Sequence, residues 1–379
     1  MIGALAKTER LIASSIALDV RSPFLTVAIP HYKHRRYLEV VLASIFEQTF
    51  DDFEILVSDD CSPDDSNTVI PRLLEASGRS YSYYAQASNL GYDGNVRFCL
   101  RAARGHYVLL LGNDDALSGP VALIEMVQLL HELGLPEVAF TNYEDWESGE
   151  VMRRAFSTRL LGSGPAVAAT HFRSFSFVSG LVYSQTEAVR HETARWDSSV
   201  YYQIYLACRI LSAGGSLGAL DLSVVRKDVK VDGEHVPNYV SRWADAPWSW
   251  EARHTGLDSV IRVTADAVLP LVPEAERSRT LRRIVAKALM VTYPFWLFEY
   301  RRTSNWSFSF GVARGMWPGN LLAEYRLALV DRSYLWLLYL STTMAGLFTP
   351  AAIFNSIKHR LADSVRRLQQ SEKTTAHAK

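Results

Sequence analysis

An α/β fold is predicted, built on a Rossmann-like, doubly wound mixed sheet and followed by a C-terminal helical region of membrane-associating character. Three observations predict it. Short apolar, β-branched runs alternate with stretches of helical periodicity. Two of those runs end in paired carboxylates, Asp59-Asp60 and Asp114-Asp115. The last third of the chain is basic and rich in tryptophan, with long uncharged stretches.

Residues 24–30 (FLTVAIP) form a run that stops at a proline and predict a buried strand. Residues 37–48 place Leu38, Val41, Leu42 and Ile45 at helical spacing. A second strand over 54–60 ends in the first acidic pair. A helix over 68–76, a third strand over 81–86 and a helix over 95–103 follow. A fourth strand over 106–111 leads into the second acidic pair, and a helix over 121–133 precedes a fifth strand over 137–141. A further helix over 201–211 ends at Gly214-Gly215. Strands alternating with helices give a parallel, doubly wound sheet, and such sheets bind ligands beyond the carboxyl ends of their strands. Both acidic pairs lie at such ends.

The domain organisation follows from composition. Residues 1–22 are an N-terminal extension, 23–224 the α/β domain, and 225–265 a polar loop or linker suited to act as a lid. Residues 266–357 are helical and aromatic-rich, and 358–379 form a basic tail. The 379 residues suffice for two or three domains of about 150 residues each. A hydrophobic share of 48% excludes a disordered chain. Cys61, Cys99 and Cys208 show no C-x-x-C spacing, which argues against a zinc ribbon or disulfide framework and for a reducing, cytoplasmic setting. Lys7, Glu9 and Arg10 break the apolar N-terminus, so no signal peptide is expected.

A net charge of zero conceals an asymmetry. Residues 281–379 carry 14 Lys/Arg against 5 Asp/Glu. With Trp296, Trp306, Trp317 and Trp336 in the same stretch, a membrane surface is a better partner than nucleic acid. Residues 334–357 lack any formal charge and are followed by Lys358-His359-Arg360. An interfacial or re-entrant helix is expected there, because Ser341, Thr342, Thr343, Pro350 and Asn355 weaken a full span.

Three clusters carry chemistry. Asp59 and Asp60 can accept hydrogen bonds from a nucleoside, or simply cap a turn. Asp114 and Asp115, adjacent at an apolar strand end, repel one another unless a cation compensates, and their oxygens suit Mg²⁺ or Mn²⁺. Asn89-Leu-Gly-Tyr-Asp-Gly-Asn95 offers glycines before a helix, where backbone N–H groups approach a ligand closely.

Together, in order and strand context, these clusters resemble the family 2 glycosyltransferases of GT-A fold. The resemblance rests on VAIPHYK at 27–33, LASIFEQT at 42–49, ILVSDDCS at 55–62, Asn89, Gly91 and Asn95, and GHYVLLLGNDD at 105–115. It covers residues 24–215 and is nearest to O-antigen abequosyl-type sugar transferases. It implies an inverting transfer from a nucleotide-diphosphate sugar to a hydroxyl of a glycan or lipid-linked glycan, as in polysaccharide or O-antigen biosynthesis. With the cysteine usage and the basic, aromatic last third, the expected setting is the cytoplasmic face of the inner or plasma membrane. Pro30, His31, Asp59, Asp60, Asn89, Gly91, Asn95, Asn113 and Asp114 would bind the nucleotide sugar. Asp114 and Asp115 would hold the divalent cation. Apart from the resemblance, His235 on the polar loop is a candidate to complete the metal site, with a solvated loop histidine as its alternative. Lys227 and Lys230 would touch the diphosphate.

Two positions depart from the family pattern. Gly112 stands where the D-x-D motif has its first aspartate. The position of the family's Glu-Asp base pair, counted back from Ala213-Gly214, falls on Tyr202-Gln203. Asp197 is then the candidate base, ahead of nearby His191 and Glu192, with a helix N-cap as its alternative role. A degenerate transferase that only binds nucleotide sugar or glycan is the second reading, and a nucleotidyltransferase the third. Residues 30–36 (PHYKHRR) lack the glycines that the third expects. No G-x-G-x-x-G follows a strand, which disfavours a dinucleotide oxidoreductase.

Overall fold

The computed structural model describes residues 9–15, 22–236, 256–302, 306–350 and 353. The chain divides into two compact units, Met1–Trp243 with Arg262–Pro273, and Ala244–Ile261 with Glu274–Lys379. Most of the predicted N-terminal extension, residues 237–255 of the predicted linker and the whole basic tail lie outside the described residues.

The first unit is built on one sheet. Its elements run β1 (Glu9–Ser14), β2 (Leu25–His31), α1 (Arg35–Phe46), β3 (Phe53–Asp59), α2 (Ser66–Ala76), β4 (Tyr81–Gln86), α3 (Gly91–Ala102) and β5 (Tyr107–Leu110). They continue through β6 (Ala116–Leu117), α4 (Ala122–Glu132), β7 (Val138–Asp145), β8 (Val151–Met152), β9 (Arg159–Ser163) and α5 (Pro165–His171). β10 (Leu181–Ser184), α6 (Gln185–Arg190), α7 (Tyr202–Ser212), β11 (Ser216–Lys227) and the hairpin β12 (Lys230–Val231) and β13 (Glu234–His235) follow.

The sheet order is β1-β4-β3-β2-β5-β10-β7-β11-β6. β4, β3, β2 and β5 are mutually parallel, as expected of strands joined by crossover helices. The sheet as a whole is mixed, as predicted. β10 enters antiparallel between β5 and β7, and β1 adds an antiparallel edge against β4. Leu25, Val27, Ile29, Ile55, Val57 and Leu109 are wholly buried. Helices cover both faces, so the strands read as continuous apolar runs. α1 turns Leu38, Val41, Leu42 and Ile45 onto this core.

The topology sets the site. β3 and β5 flank β2, so the loops leaving their carboxyl ends stand about 10 Å apart at ordinary strand spacing. In the β2–β3 register His31 lies opposite Asp59. Residues 225–227, read from composition as the start of a polar loop, instead end β11, where Val225 pairs with Tyr143 and with Leu117. Their neighbours in the sheet supply the ladder that composition cannot reveal.

A helix α8 (Leu257–Val268) follows. The second unit contains α9 (Glu274–Lys287), a π-helical turn (Ala288–Thr292), α10 (Tyr293–Arg302), α11 (Trp306–Gly315), α12 (Pro318–Leu321) and α13 (Leu329–Phe348). α13 is anchored on one side. Asp331 takes the Arg282 guanidinium at 2.8 Å and the Ser278 hydroxyl at 2.5 Å. Tyr339 OH donates to the Ala313 carbonyl at 2.8 Å, and Tyr293 OH lies 2.7 Å from Thr343 Oγ1. No described helix is long and apolar enough to cross a membrane.

Candidate active site

The carboxyl end of β2 is the centre of the site. His31 is fully buried there. Asn113 Nδ2 lies 3.0 Å from His31 Nδ1, and Ser66 Oγ lies 2.9 Å from Nε2. An amide N–H can only donate, so Nδ1 accepts and Nε2 carries the proton in the neutral ring. Ser66 Oγ passes its own proton to Asp64. Burial pushes His31 down to about 4, against the attraction of Asp59 and Asp64, so the ring is neutral at pH 7. Asn113 Nδ2 also reaches the Lys33 carbonyl at 3.2 Å, tying the loop after β5 to the loop after β2. Lys33 and His34 both hold positive φ, 60° and 65°, in that turn. Consecutive non-glycine residues in this region store strain that the neighbouring contacts must hold.

The first acidic pair divides its labour. Asp59 accepts the Tyr83 hydroxyl at 2.6 Å and the Ser62 N–H at 2.9 Å, which makes it a brace of the turn. Asp60 accepts the Leu90 N–H at 2.5 Å, and its own carbonyl takes Asn89 Nδ2 at 3.1 Å. Burial raises the Asp60 carboxyl, while the Leu90 and Gly91 amides oppose that shift. Asn89 Oδ1 holds the Gly91 N–H at 3.0 Å at the start of α3. Asn95 is buried beneath, donating to the Ser58 carbonyl at 2.9 Å and accepting the Ser58 hydroxyl at 2.5 Å. Asn89, Gly91 and Asn95 thus fix the loops around Asp60. Pro30 stands one residue before His31 on β2.

The second acidic pair is held by residues that sequence reasoning missed. Asp115 is buried; its Oδ2 accepts the Ser179 hydroxyl at 2.5 Å and its Oδ1 the Asp228 N–H at 3.0 Å. Ser179 Oγ in turn accepts the Gly112 N–H at 2.8 Å. Burial, and next the Asp114 charge, push the Asp115 carboxyl up to about 8. Asp114 is partly exposed beside it, its carbonyl taking the Val229 N–H at 2.9 Å.

A side chain at Gly112 would put its Cβ 3.0 Å from Asp115 Oδ2, 3.1 Å from Asp114 Oδ1 and 3.2 Å from Ser179 Oγ. The glycine therefore leaves clear a point on which both carboxylates and a hydroxyl converge. Two carboxylates completed by phosphate and water oxygens are a donor set suited to Mg²⁺ or Mn²⁺. Among the described residues no three His, Cys, Asp or Glu side chains form a ready-made metal group. His235 is nevertheless linked to Asp115. Its Nδ1 donates to the Asp228 carbonyl at 2.8 Å, and the Asp228 N–H holds Asp115. That bond leaves the neutral ring's Nε2 as its lone-pair nitrogen. Lys227 is paired with Asp228, and Lys230 with Glu147, each at 2.5 Å.

Arg154 supports this arrangement from inside. Its Nε donates to the Thr141 carbonyl at 2.7 Å, its Nη1 to Ser174 and Phe177 carbonyls, and its Nη2 to the Ser179 carbonyl at 2.9 Å. Burial lowers Arg154 to about 10. Gly180 follows at φ 80°, and a Cβ there would lie 2.3 Å from Thr141 Oγ1 and 2.9 Å from Arg154 Nη2. The loop that presents Ser179 therefore requires glycine at this position. The Ser-Gly pair before β10 is the one sequence signal that could have pointed here.

Asp197 lies elsewhere in the unit than its N-cap alternative implies. α7 begins at Tyr202, and the Val200 and Tyr202 N–H groups at its entry go to Asp93 at 2.7 and 2.9 Å. Asp197 instead receives Arg97 through both oxygens, at 3.2 and 2.7 Å, and Arg97 also reaches Glu192 at 3.0 Å.

With this geometry in view, similarity to known proteins is informative. Residues 26–176 match the family described as Glycosyl transferase family 2. Over those residues the chain is similar to that family. A GalNAc(5)-diNAcBac-PP-undecaprenol beta-1,3-glucosyltransferase of Campylobacter jejuni is 37% identical over 180 residues, 47% of this chain and 56% of that protein. The abequosyltransferase RfbV of Salmonella typhimurium is 34% identical over 96 residues, 25% of this chain and 29% of that one. The match thus spans about half the length of the first relative and under a third of the second. Residues 1–349 of Staphylococcus aureus TarS, crystallised with UDP-GlcNAc, superpose with a TM-score of 0.56 at 17% identity, over 85% of this chain and 89% of that one. At that identity the likeness concerns the fold alone.

Proposed function

We propose that this chain is an inverting glycosyltransferase that moves a sugar from a nucleotide-diphosphate donor to a hydroxyl of a glycan or lipid-linked glycan in polysaccharide or O-antigen-type biosynthesis. The observation that carries the reading is the convergence, beyond the carboxyl ends of adjacent parallel strands, of Asp60, His31-Asn113 and Asp114-Asp115. In it Asp60 and Pro30 face the nucleoside, neutral His31 positions Asn113, and Asp114 and Asp115 face the diphosphate. A divalent cation held by those two carboxylates would neutralise charge on the departing diphosphate.

Transfer with inversion needs a group that takes the acceptor's proton as its oxygen attacks the anomeric carbon. We assign this to Asp197. Arg97 pairs with both oxygens of that carboxylate and must release one of them when the acceptor arrives. The acceptor's lipid and the basic, aromatic second unit suggest work at the cytoplasmic face of a membrane. The test is turnover by purified protein on a panel of nucleotide sugars with candidate acceptors, read as nucleoside diphosphate release. Folded protein that turns over no donor sinks the proposal. Gly112 and Tyr202-Gln203, standing where the family pattern has acids, favour one second reading, a subunit that binds nucleotide sugar without turnover. Calorimetric binding with no product would establish it.

A further inference from the structure

The second unit leaves one helix face unexplained. Val330, Tyr334, Leu337, Leu340, Met344 and Phe348 recur at three- and four-residue spacing on α13, and all are exposed. Residues at that spacing share one face of a helix. The opposite face is already used, with Leu335, Tyr339 and Leu347 buried. Single exposed apolar residues are ordinary, but a continuous stripe along a whole helix marks a docking surface. It is bordered by groups that suit an interface with lipid. The Trp317 ring stands 4.8 Å from Trp336 on one flank, and the Arg282 guanidinium lies 5.7 Å over the Tyr334 ring. The acid of α13, Asp331, is buried and taken up by Arg282 and Ser278.

We infer that this face of α13 rests on the surface of an anionic phospholipid bilayer, lying along the headgroup zone without crossing it. The inference rests on the membrane-proximal part of the proposed function and names the surface that would serve it. Charge complementarity selects the occupant. Residues 281–379 carry 14 Lys/Arg against 5 Asp/Glu, which attracts anionic headgroups while the stripe buries in the acyl boundary. Trp and Tyr at its edges match the preference of these rings for that zone. A second copy of the chain is the weaker occupant. Twenty helical residues span about 30 Å, and a stripe about 10 Å wide offers about 300 Å², well under the ~800 Å² per partner of a stable pair. Crossing is excluded for α13, because no described helix is long and apolar enough.

The experiment is co-sedimentation of the full chain with vesicles of equal parts phosphatidylglycerol and phosphatidylcholine, and with phosphatidylcholine alone. The native chain is expected to pellet with the anionic vesicles, less with the neutral ones, and to be released in part by salt. Leu337→Glu/Met344→Glu should weaken the anionic binding at least about tenfold. Both side chains are largely exposed, 69% and 58%, so the substitutions spare the fold, which circular dichroism would check. A milder pair, Leu337→Ser/Met344→Ser, should lower binding in the same direction. Native protein left in the supernatant, or a folded Glu variant that binds as well as native, overturns the inference. So does concentration-dependent self-association without lipid that the same variant abolishes. Turnover on a water-soluble acceptor, measured in parallel, separates the two readings: native protein that turns over but does not dock sinks this inference alone, and native protein that docks but does not turn over sinks the catalytic one alone.

Discussion

Ser179 donates its hydroxyl proton to Asp115 Oδ2 at 2.5 Å while accepting the Gly112 N–H at 2.8 Å. One hydroxyl thus fixes both the turn and the buried carboxylate of the motif. Ser179→Ala leaves Asp115 short of a donor in a buried place. The expected cost is about 1–3 kcal/mol in denaturant unfolding, together with at least a tenfold fall in transfer. Native-like turnover in this variant would remove Ser179 from the machinery.

Asp115→Asn makes the opposite separation. The amide keeps the shape and one of the two acceptor oxygens that the Ser179 hydroxyl and the Asp228 N–H use, so melting should fall only modestly. Transfer should fall by about a hundredfold or more, because charge opposite the diphosphate is lost. Kinetics beside thermal melting would check this, and parallel losses would mark Asp115 as structural.

His31 supplies a pH signature. Its folded value of about 4 lies below the ordinary 6.5, so between those pH values the unfolded chain binds the proton and the folded chain resists it. Stability from this group is therefore full above about 6.5 and declines as pH falls toward 4, by about 3 kcal/mol in all. Asp115, raised to about 8, works in the other direction, losing stability as pH rises from about 4 to 8. Comparing unfolding free energies of native protein and His31→Gln across pH 4–7 isolates the first slope, which should vanish in the variant.

Asp197→Asn tests the proposed base. An amide still pairs with Arg97, so unfolding should shift by about 1–2 kcal/mol at most. Transfer should drop by about a hundredfold or more with little change in donor KM. Unchanged kcat would show that the ion pair only orders the segment before α7.

Asp93→Ala should act on stability first. This carboxylate is buried and holds the Val200 and Tyr202 amides at the entry of α7, where Val200 sits at φ 67°. A β-branched residue in that region is strained and depends on its partners. A loss of about 2–4 kcal/mol by denaturant unfolding is expected, and a loss near zero would show that the entry of α7 holds itself.

The sequence was most legible where local pattern and burial agree. The runs at 24–30, 54–60 and 106–111 are apolar because they are buried on both faces, and the structure has β2, β3 and β5 there. The acidic pairs were legible because polar residues at the end of such runs are conspicuous. The antiparallel strand β10 and the edge strand β1 were not, since short strands take their identity from the neighbour that pairs with them.

The sequence alone determined the alternating core, the two acidic turns and the basic, tryptophan-rich last third, because each is written in contiguous residues. Tertiary structure alone decided what those residues touch. Asp59 braces Tyr83, Asp197 pairs with Arg97 a hundred residues away, and Ser179, its carbonyl held by Arg154, bonds Asp115 from a loop distant in the chain. The reason is physical: a buried polar group must find a partner wherever the fold brings one, and sequence spacing does not record which one that is.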